Sequence, residues 1–395
     1  MADALTSPFG GLAVMAVALG LAALLARHIP FYRSVLAQTQ SGRHGQIDGL
    51  RGYLAFAVFL THGLSINGWL ATGRWEWPPS AVYHLCGTVP VSLFFMITGF
   101  LFWDKALRAG GRVDWRRLYV SRLRRLAPLY LAALPVLLLI VASRTGWELR
   151  TSPGELAAAV ARWSALGFLS RPDINGLDKT WILNTPIWTL QFEWAFYLAL
   201  PALALLARPR WSWIAALVIL ALIWRKPGYV VAINFVLGGL TAHLAAHWPE
   251  ESRLCSPLAA VLALGAMALT APVGALDYGP VQSLLLFPLF VCVVAGNDLF
   301  GLLSNGAARF LGLVSYSIYL LHCLVLQIVL GTLNGWVAVA GLAAPAYWTL
   351  LGLIGLVVVL VSAAAYRWIE HPFLAGPVEK RAAGGAGKPL VQATF

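Results

Sequence analysis

Charge is what this chain has least of. Asp, Glu, Lys and Arg make up 11% of its 395 residues, against about 25% in soluble domains. With 59% hydrophobic residues and a mean hydropathy of +0.75, it reads as neither an ordinary soluble enzyme nor a disordered chain. Cysteine is scarce too. The four, Cys86, Cys255, Cys292 and Cys323, lie in or beside apolar stretches, and none forms a CxxC pair or is expected to have a metal partner nearby. That excludes a disulfide scaffold and assigns no redox or metal role. Acidic residues are fewer than basic ones, 16 against 28. In a soluble domain the resulting charge of +12 would suggest nucleic acid. Here it marks cytoplasmic loops, and no nucleic-acid partner is expected.

What is present is a series of long apolar runs. They predict an all-α polytopic membrane helix bundle with no soluble domain, since only a helix can satisfy its own backbone across lipid. About 10–11 transmembrane helices are expected, at 9–27, 47–69, 82–103, 126–143, 186–207, 211–225, 229–247, 254–272, 281–296, 313–333 and 346–368. The first begins Met-Ala-Asp-Ala, without a basic n-region or a clear cleavage site, and is expected to be retained. With the N-terminus outside and the C-terminus in the cytoplasm, the inner segments hold 20 of the 28 basic residues. The densest run, in 104–125, then stays inside. A second long loop, 144–185, is expected to carry a surface helix over 153–169. There is no internal repeat of the kind that builds many transporters.

Ionisable residues inside spans are costly, and each is a candidate for function. Asp48, Arg51 and His62 fall on one helix face, because 11 residues from Arg51 to His62 is close to three full turns. That places His62 roughly 16 Å above Arg51. Glu193 is the acidic residue deep in a span. Counted from a helix that starts near 186 at the outer surface, it reaches a depth comparable to His62, so two readings stand: a His62–Glu193 pair, or a Glu193 that is protonated or satisfied by a local Trp or Tyr. Ser315, Tyr319 and His322 share one face of the tenth span. Arg122, Arg124 and Arg125 sit where the basic loop meets the fourth. There they suit either anionic lipid headgroups or the phosphates of a cytosolic donor. His243 and His247 read as a charged helix cap rather than a metal pair.

Several segments carry a family likeness. Ile47-Asp48-Gly49-Leu50-Arg51-Gly52 leads to His62 with ten residues between Arg and His. Phe94 to Phe100 reads FFMITGF, and Arg122 and Arg125 form an Arg-x-x-Arg. Trp188 to Tyr197 reads WTLQFEWAFY, Ser315 to His322 reads SYSIYLLH, and Tyr366 to Phe373 reads YRWIEHPF. In this order the segments resemble the bacterial acyltransferase-3 family, polytopic O-acyltransferases of surface glycans. Thr98 and Thr189 stand where serines are usual, and Trp194 where an acidic residue is common. The resemblance implies an acyl-CoA-dependent O-acyltransferase of the cytoplasmic membrane. It would pass an acyl group, most often acetyl, to a hydroxyl of an extracytoplasmic glycan or lipid-linked saccharide.

The roles so implied are His62 as general base, with Glu193 orienting it, and Arg122 and Arg125, with Arg51, as donor site. Asp48 supports Arg51, and Trp188, Thr189, Tyr197, Ser315, Tyr319 and His322 support the substrate. The implied partners are acyl-CoA, a glycan acceptor and membrane lipid, with no permanently bound cofactor and no metal. The expected organisation is an additional N-terminal helix and linker over 1–45, a transmembrane core over 46–375 and a flexible cytoplasmic tail over 376–395. A proton-coupled transporter and a non-catalytic partner in glycan assembly remain open at this level, as do the acceptor, the acyl chain and the oligomeric state.

Overall fold

A computed structural model of the chain describes residues 5–39, 45–205, 227–246, 248 and 253–374. The span expected at 211–225, His247 and the tail expected over 376–395 lie outside these. Among the described residues there are helices and a single isolated bridge, Ile174 to Leu177, but no strand. In chain order they are α1 (Pro8–His28), α2 (Pro30–Thr39), α3 (Gly45–Thr72), α4 (Ala81–Arg108), α5 (Trp115–Arg144) and α6 (Pro153–Trp163). A 3-10 segment, Thr180–Ile187, leads into α7 (Trp188–Ala204). Then follow α8 (Ile233–Ala245), α9 (Pro257–Ala268), α10 (Pro280–Val294), α11 (Gly306–Leu313), α12 (Ser315–Asn334) and α13 (Ala344–Ala365).

Among the described residues, six helices are long and apolar enough to cross a membrane: α1, α3, α4, α5, α12 and the run Ala344–Leu374. The protein is therefore a multi-pass membrane protein. The segments expected near 186–207, 229–247, 254–272 and 281–296 are helical too, as α7 to α10, but shorter. Two boundaries differ instructively. α4 extends to Arg108 and α5 begins at Trp115, so most of the expected basic loop is helix, and Arg122 and Arg125 stand inside α5. Asp114 caps that helix by accepting from the Arg117 backbone N–H at 2.9 Å.

α3 lies at the centre, packing on α4, α11 and α12. One apolar core joins α4, α5, α7 and α8 to α9 and α10; a second joins α1, α3, α11, α12 and α13. Without a hydrophobic force between helices in lipid, close approach has to come from small residues. At Gly49 of α3 and Gly312 of α11 an added Cβ would strike the Leu303 and Asp48 carbonyls. Gly99 of α4 and Gly238 of α8 are matched in the same way against Phe235 and Met96. α1 is peripheral, with 22% of its apolar window buried against 61% for α3. It docks through the Gly11 N–H, which donates to the Tyr83 hydroxyl at 3.0 Å.

Outside the spans, α6 is shorter than expected and ends at Trp163. Its capping box is complete: the Glu155 N–H donates to the Ser152 hydroxyl, and the Ser152 N–H and O–H donate to the Glu155 carboxylate. These donors hold the Glu155 carboxyl below its ordinary range. The box therefore supports α6 at neutral pH and loses that support as pH falls through the lowered value. Hydrogen-exchange protection over 153–163, taken relative to the intrinsic rate at each pH, should fall in acid, and Ser152→Ala should lower it already at neutral pH. At the helix crossings, Gly312→Leu should cost about 1–3 kcal/mol by overpacking, read as a lower unfolding temperature in detergent.

Candidate active site

The site begins with the path of 180–193. Lys179 takes a left-handed conformation at φ 58° and turns the chain. Residues 180–187 then descend inside the bundle rather than along its surface, with Ile182, Leu183, Asn184 and Ile187 all buried. They run antiparallel to α12 and are joined to it. Gln327 Nε2 donates to the Ile182 carbonyl at 3.3 Å. The Tyr319 hydroxyl donates to Thr189 Oγ1 at 3.2 Å.

That register corrects the expected depth of Glu193. From the Thr189–Tyr319 rung, Glu193 is four residues toward the Ser315 end of α12 and His322 three residues the other way. They stand roughly 10 Å apart along the axis. The His62–Glu193 pair therefore does not form. Glu193 accepts from the Tyr197 hydroxyl at 3.2 Å, while His62 Nδ1 meets His322 Nε2 at 3.0 Å. The sequence estimate failed because it started a regular helix at the outer surface. The 3-10 segment had already taken the chain inside.

Arg51, Arg122, Arg125, Thr189, Glu193, Tyr197, Ser315 and Tyr319 are brought together around one cavity of about 120 Å³, with Thr98 and Tyr316 added. Asp48 stands beside it, 3.6 Å from Arg51 Nη1. The Tyr197 hydroxyl donates to Glu193, and the Arg122 guanidinium lies over the Phe102 ring at 5.2 Å. Arg122 is buried, yet its Nε has no partner among the described residues, nor does the Ser315 hydroxyl. Orphan donors in a buried site are costly unless a ligand satisfies them. Arg124 is exposed and does not line this cavity. Trp188 is also outside the cavity, packed against Phe192 and Tyr278.

The second half of the site is the histidine pair. His322 Nδ1 lies 2.8 Å from the Ile318 carbonyl. A carbonyl only accepts, so Nδ1 carries the proton and Nε2 the lone pair. With both rings neutral, His62 Nδ1–H must then donate to His322 Nε2, and His62 Nε2 keeps a free lone pair. His62 is half-buried and His322 fully buried.

Cys323 Sγ is 3.4 Å from His322 Nε2. The ligand atoms of His62, His322 and Cys323 all lie within 4.8 Å of one another, a set able to hold a metal ion. The expectation that no cysteine has a metal-ligating neighbour is thus overturned at Cys323. His62 comes from a helix some 260 residues away, so no spacing rule could show it. Glu370 was also missed. It is buried on the π-turn after α13, where the Ser317 hydroxyl donates to it. His243 accepts from the Trp103 indole N–H at 3.0 Å, so that nitrogen is unprotonated and the expected charged cap is replaced by a neutral ring.

Comparison with known proteins places this geometry. A family model described as an acyltransferase domain, of the acyltransferase-3 type, matches residues 44–367. The chain belongs to that family, and the protein is an acyltransferase. It is 26% identical over 329 residues to the acyltransferase MdmB of Streptomyces mycarofaciens, covering 71% of this chain and 78% of that protein. It is 29% identical over 322 residues to the exopolysaccharide production protein ExoZ of Rhizobium meliloti, covering 76% and 94%. No solved structure matches it.

The two halves of the site make separable predictions. Glu193→Gln keeps an acceptor for Tyr197 and should lower transfer by less than about tenfold, because Glu193 does not touch His62. His322→Ala releases the His62 tautomer and should lower it about 10²-fold or more. Acyl-transfer rates of the two purified variants check this order.

Proposed function

We propose that the protein moves an acyl group, most often acetyl, from cytosolic acyl-CoA to a hydroxyl of an extracytoplasmic glycan or lipid-linked saccharide. The observation that carries this reading is the shared helix α12. Its Ser315 end borders the arginine-lined cavity and its next turns hold the His322–His62 pair. We place the protein in the bacterial cytoplasmic membrane, N-terminus outside and C-terminus inside, with 46–375 as the catalytic core. The basic residues of α5 then face the cytosol.

Arg51, Arg122 and Arg125 are the donor site. Guanidinium forks match phosphate oxygens, and the unpartnered Arg122 Nε and Ser315 hydroxyl are waiting donors. Drug-sized ligands occupy roughly 300–1,000 Å³. A cavity of about 120 Å³ is therefore suited to a slender arm, with the nucleotide held at the mouth. Glu193 and Tyr197 position Arg122 rather than His62. Tyr319, which lines the cavity and stands with its ring 6.3 Å from that of His322, marks the way to the histidines.

At His62, Nε2 takes the proton of the acceptor hydroxyl as the oxygen attacks the thioester carbonyl. The new C–O bond replaces the C–S bond, and the CoA thiolate leaves and recovers the proton from His62. The His322 Nε2 contact holds the His62 ring while it is protonated. The cytosolic position of the donor site and the outer position of His62 let the acyl group cross without the whole donor crossing. ExoZ, by its name an exopolysaccharide production protein, supports the saccharide as acceptor class.

The test is to compare envelope-glycan esters in cells carrying the native chain or His62→Ala at equal membrane abundance. Loss of a positioned base should lower ester formation by about 10²–10⁴-fold. Arg122→Ala and Arg125→Ala should instead raise the KM for acyl-CoA. Esters equal in native and His62→Ala membranes would overturn the reading.

A further inference from the structure

The outer side of His62 has a construction that the mechanism above leaves unused. His62 is half-buried, and its open side is faced by Trp75 at a ring-centroid distance of 6.1 Å and an interplanar angle of 28°. Trp181 meets Trp75 edge-on, at 6.0 Å and 78°. Together the two indoles form a corner over the histidine. Neither belongs to a spanning helix. Trp75 is in the link between α3 and α4, and Trp181 opens the descending 3-10 segment.

Both supports of this corner are fixed. On one side Gly73, at φ 69°, turns the chain out of α3, with its N–H donating to the Trp69 carbonyl at 2.8 Å. Two residues past Trp75, Trp77 stacks on His84 at 4.4 Å, and His84 reaches Asp277 at 3.1 Å. On the other side the residue after Trp181 is held by Gln327. Gln327 Oε1 accepts from Arg144 Nη2 at 2.6 Å, and the Arg144 guanidinium lies over Trp69 at 5.3 Å.

Tryptophan is common at the lipid interface, where it projects outward. Trp336, 86% exposed, and Trp147, 73% exposed, have that character. Trp75 and Trp181 do not: both are half-buried, turned toward each other and toward His62. Among the described residues neither indole N–H has a hydrogen-bond partner. Neither N–H is sealed in the protein interior, so both are open to a ligand. The corner thus offers two apolar faces, two free donors and one imidazole lone pair, which is the complement of a sugar ring. A pyranose has an apolar C–H face, hydroxyls at its rim and one hydroxyl to be acylated.

We infer that Trp75 and Trp181 form the acceptor subsite, clasping one pyranose ring so that a hydroxyl is presented to His62 Nε2. This rests on the reading of His62 as the base toward a saccharide. Trp75 and Trp181 are positioning residues for the acceptor and leave the donor site, at the other end of α12, untouched.

The test uses the full-length protein in amphipol, which carries no sugar headgroup. The probes are the methyl glycosides of glucose, galactose and mannose, followed by saturation-transfer NMR. Binding should place the strongest transfer on ring C–H protons. It should persist in His62→Ala, fall about tenfold in affinity in Trp75→Ala and Trp181→Ala, and return in part in Trp75→Phe. In cells, both alanine variants should lower envelope esters while acetyl-CoA binding by the purified proteins stays native. Absence of glycoside binding by the native protein overturns the inference. So does native ester formation by Trp75→Ala, or loss of acetyl-CoA binding along with the esters, which would mark a structural role. If the native chain itself forms no esters, the proposed function fails first.

Discussion

The Ile318 carbonyl can only accept a hydrogen bond, and that restriction sets the chemistry of the whole upper site. It leaves His322 Nε2 as an acceptor, which directs the Nδ1 proton of His62 inward and its Nε2 lone pair outward. A general base needs this arrangement before any substrate arrives, because a ring free to change tautomer offers its proton as often as its lone pair. The two histidines come from helices α3 and α12, so their alignment depends on how closely those helices pack. The glycine crossing of α3 with α11, just ahead of α12, is where that closeness is built.

The second element is the descent of 180–193 beside α12. A loop that enters a bundle must satisfy its backbone there. Here Gln327 of α12 serves it at the Ile182 carbonyl, and below, Tyr319 ties α12 to α7 through the Thr189 hydroxyl. The result separates the site by level. Arginines gather at the Ser315 end, the histidine pair stands about two turns above, and the Trp75–Trp181 corner lies over His62. A donor and an acceptor approaching from opposite faces would meet near Tyr319 and His322. Glu193 belongs to the lower level, with Tyr197 and Arg122, and its carboxylate balances guanidinium charge in a poorly solvated place.

Much of this was legible in the chain. Apolar runs foretold the helices, because a bilayer demands long uninterrupted stretches. The 11-residue step from Arg51 to His62, and the Ser315, Tyr319, His322 stripe, follow from helical period alone, and the structure turns both toward the interior. Arg122 and Arg125 stood out by their position at the head of a span. The Glu193 depth was not legible, since a 3-10 segment and a left-handed Lys179 carry no hydropathy signal. Nor were Trp75 and Trp181: aromatic residues in membrane-protein loops look alike whether they face lipid or a neighbouring ring. Trp188 shows the converse, a residue inside a recognisable motif that packs away from the cavity.

What the sequence by itself determined is therefore what depends on neighbours along the chain: which stretches are helical, which faces of each carry polar groups, and which family the ordered motifs belong to. Tertiary structure alone decided the pairings: His62 with His322 rather than Glu193, Cys323 beside both imidazoles, and Trp75 with Trp181 over His62. These contacts join residues up to 261 positions apart, through helix register and a descending loop. A hydrogen bond or ring contact depends on ångström-scale alignment between segments, which a one-dimensional period does not contain.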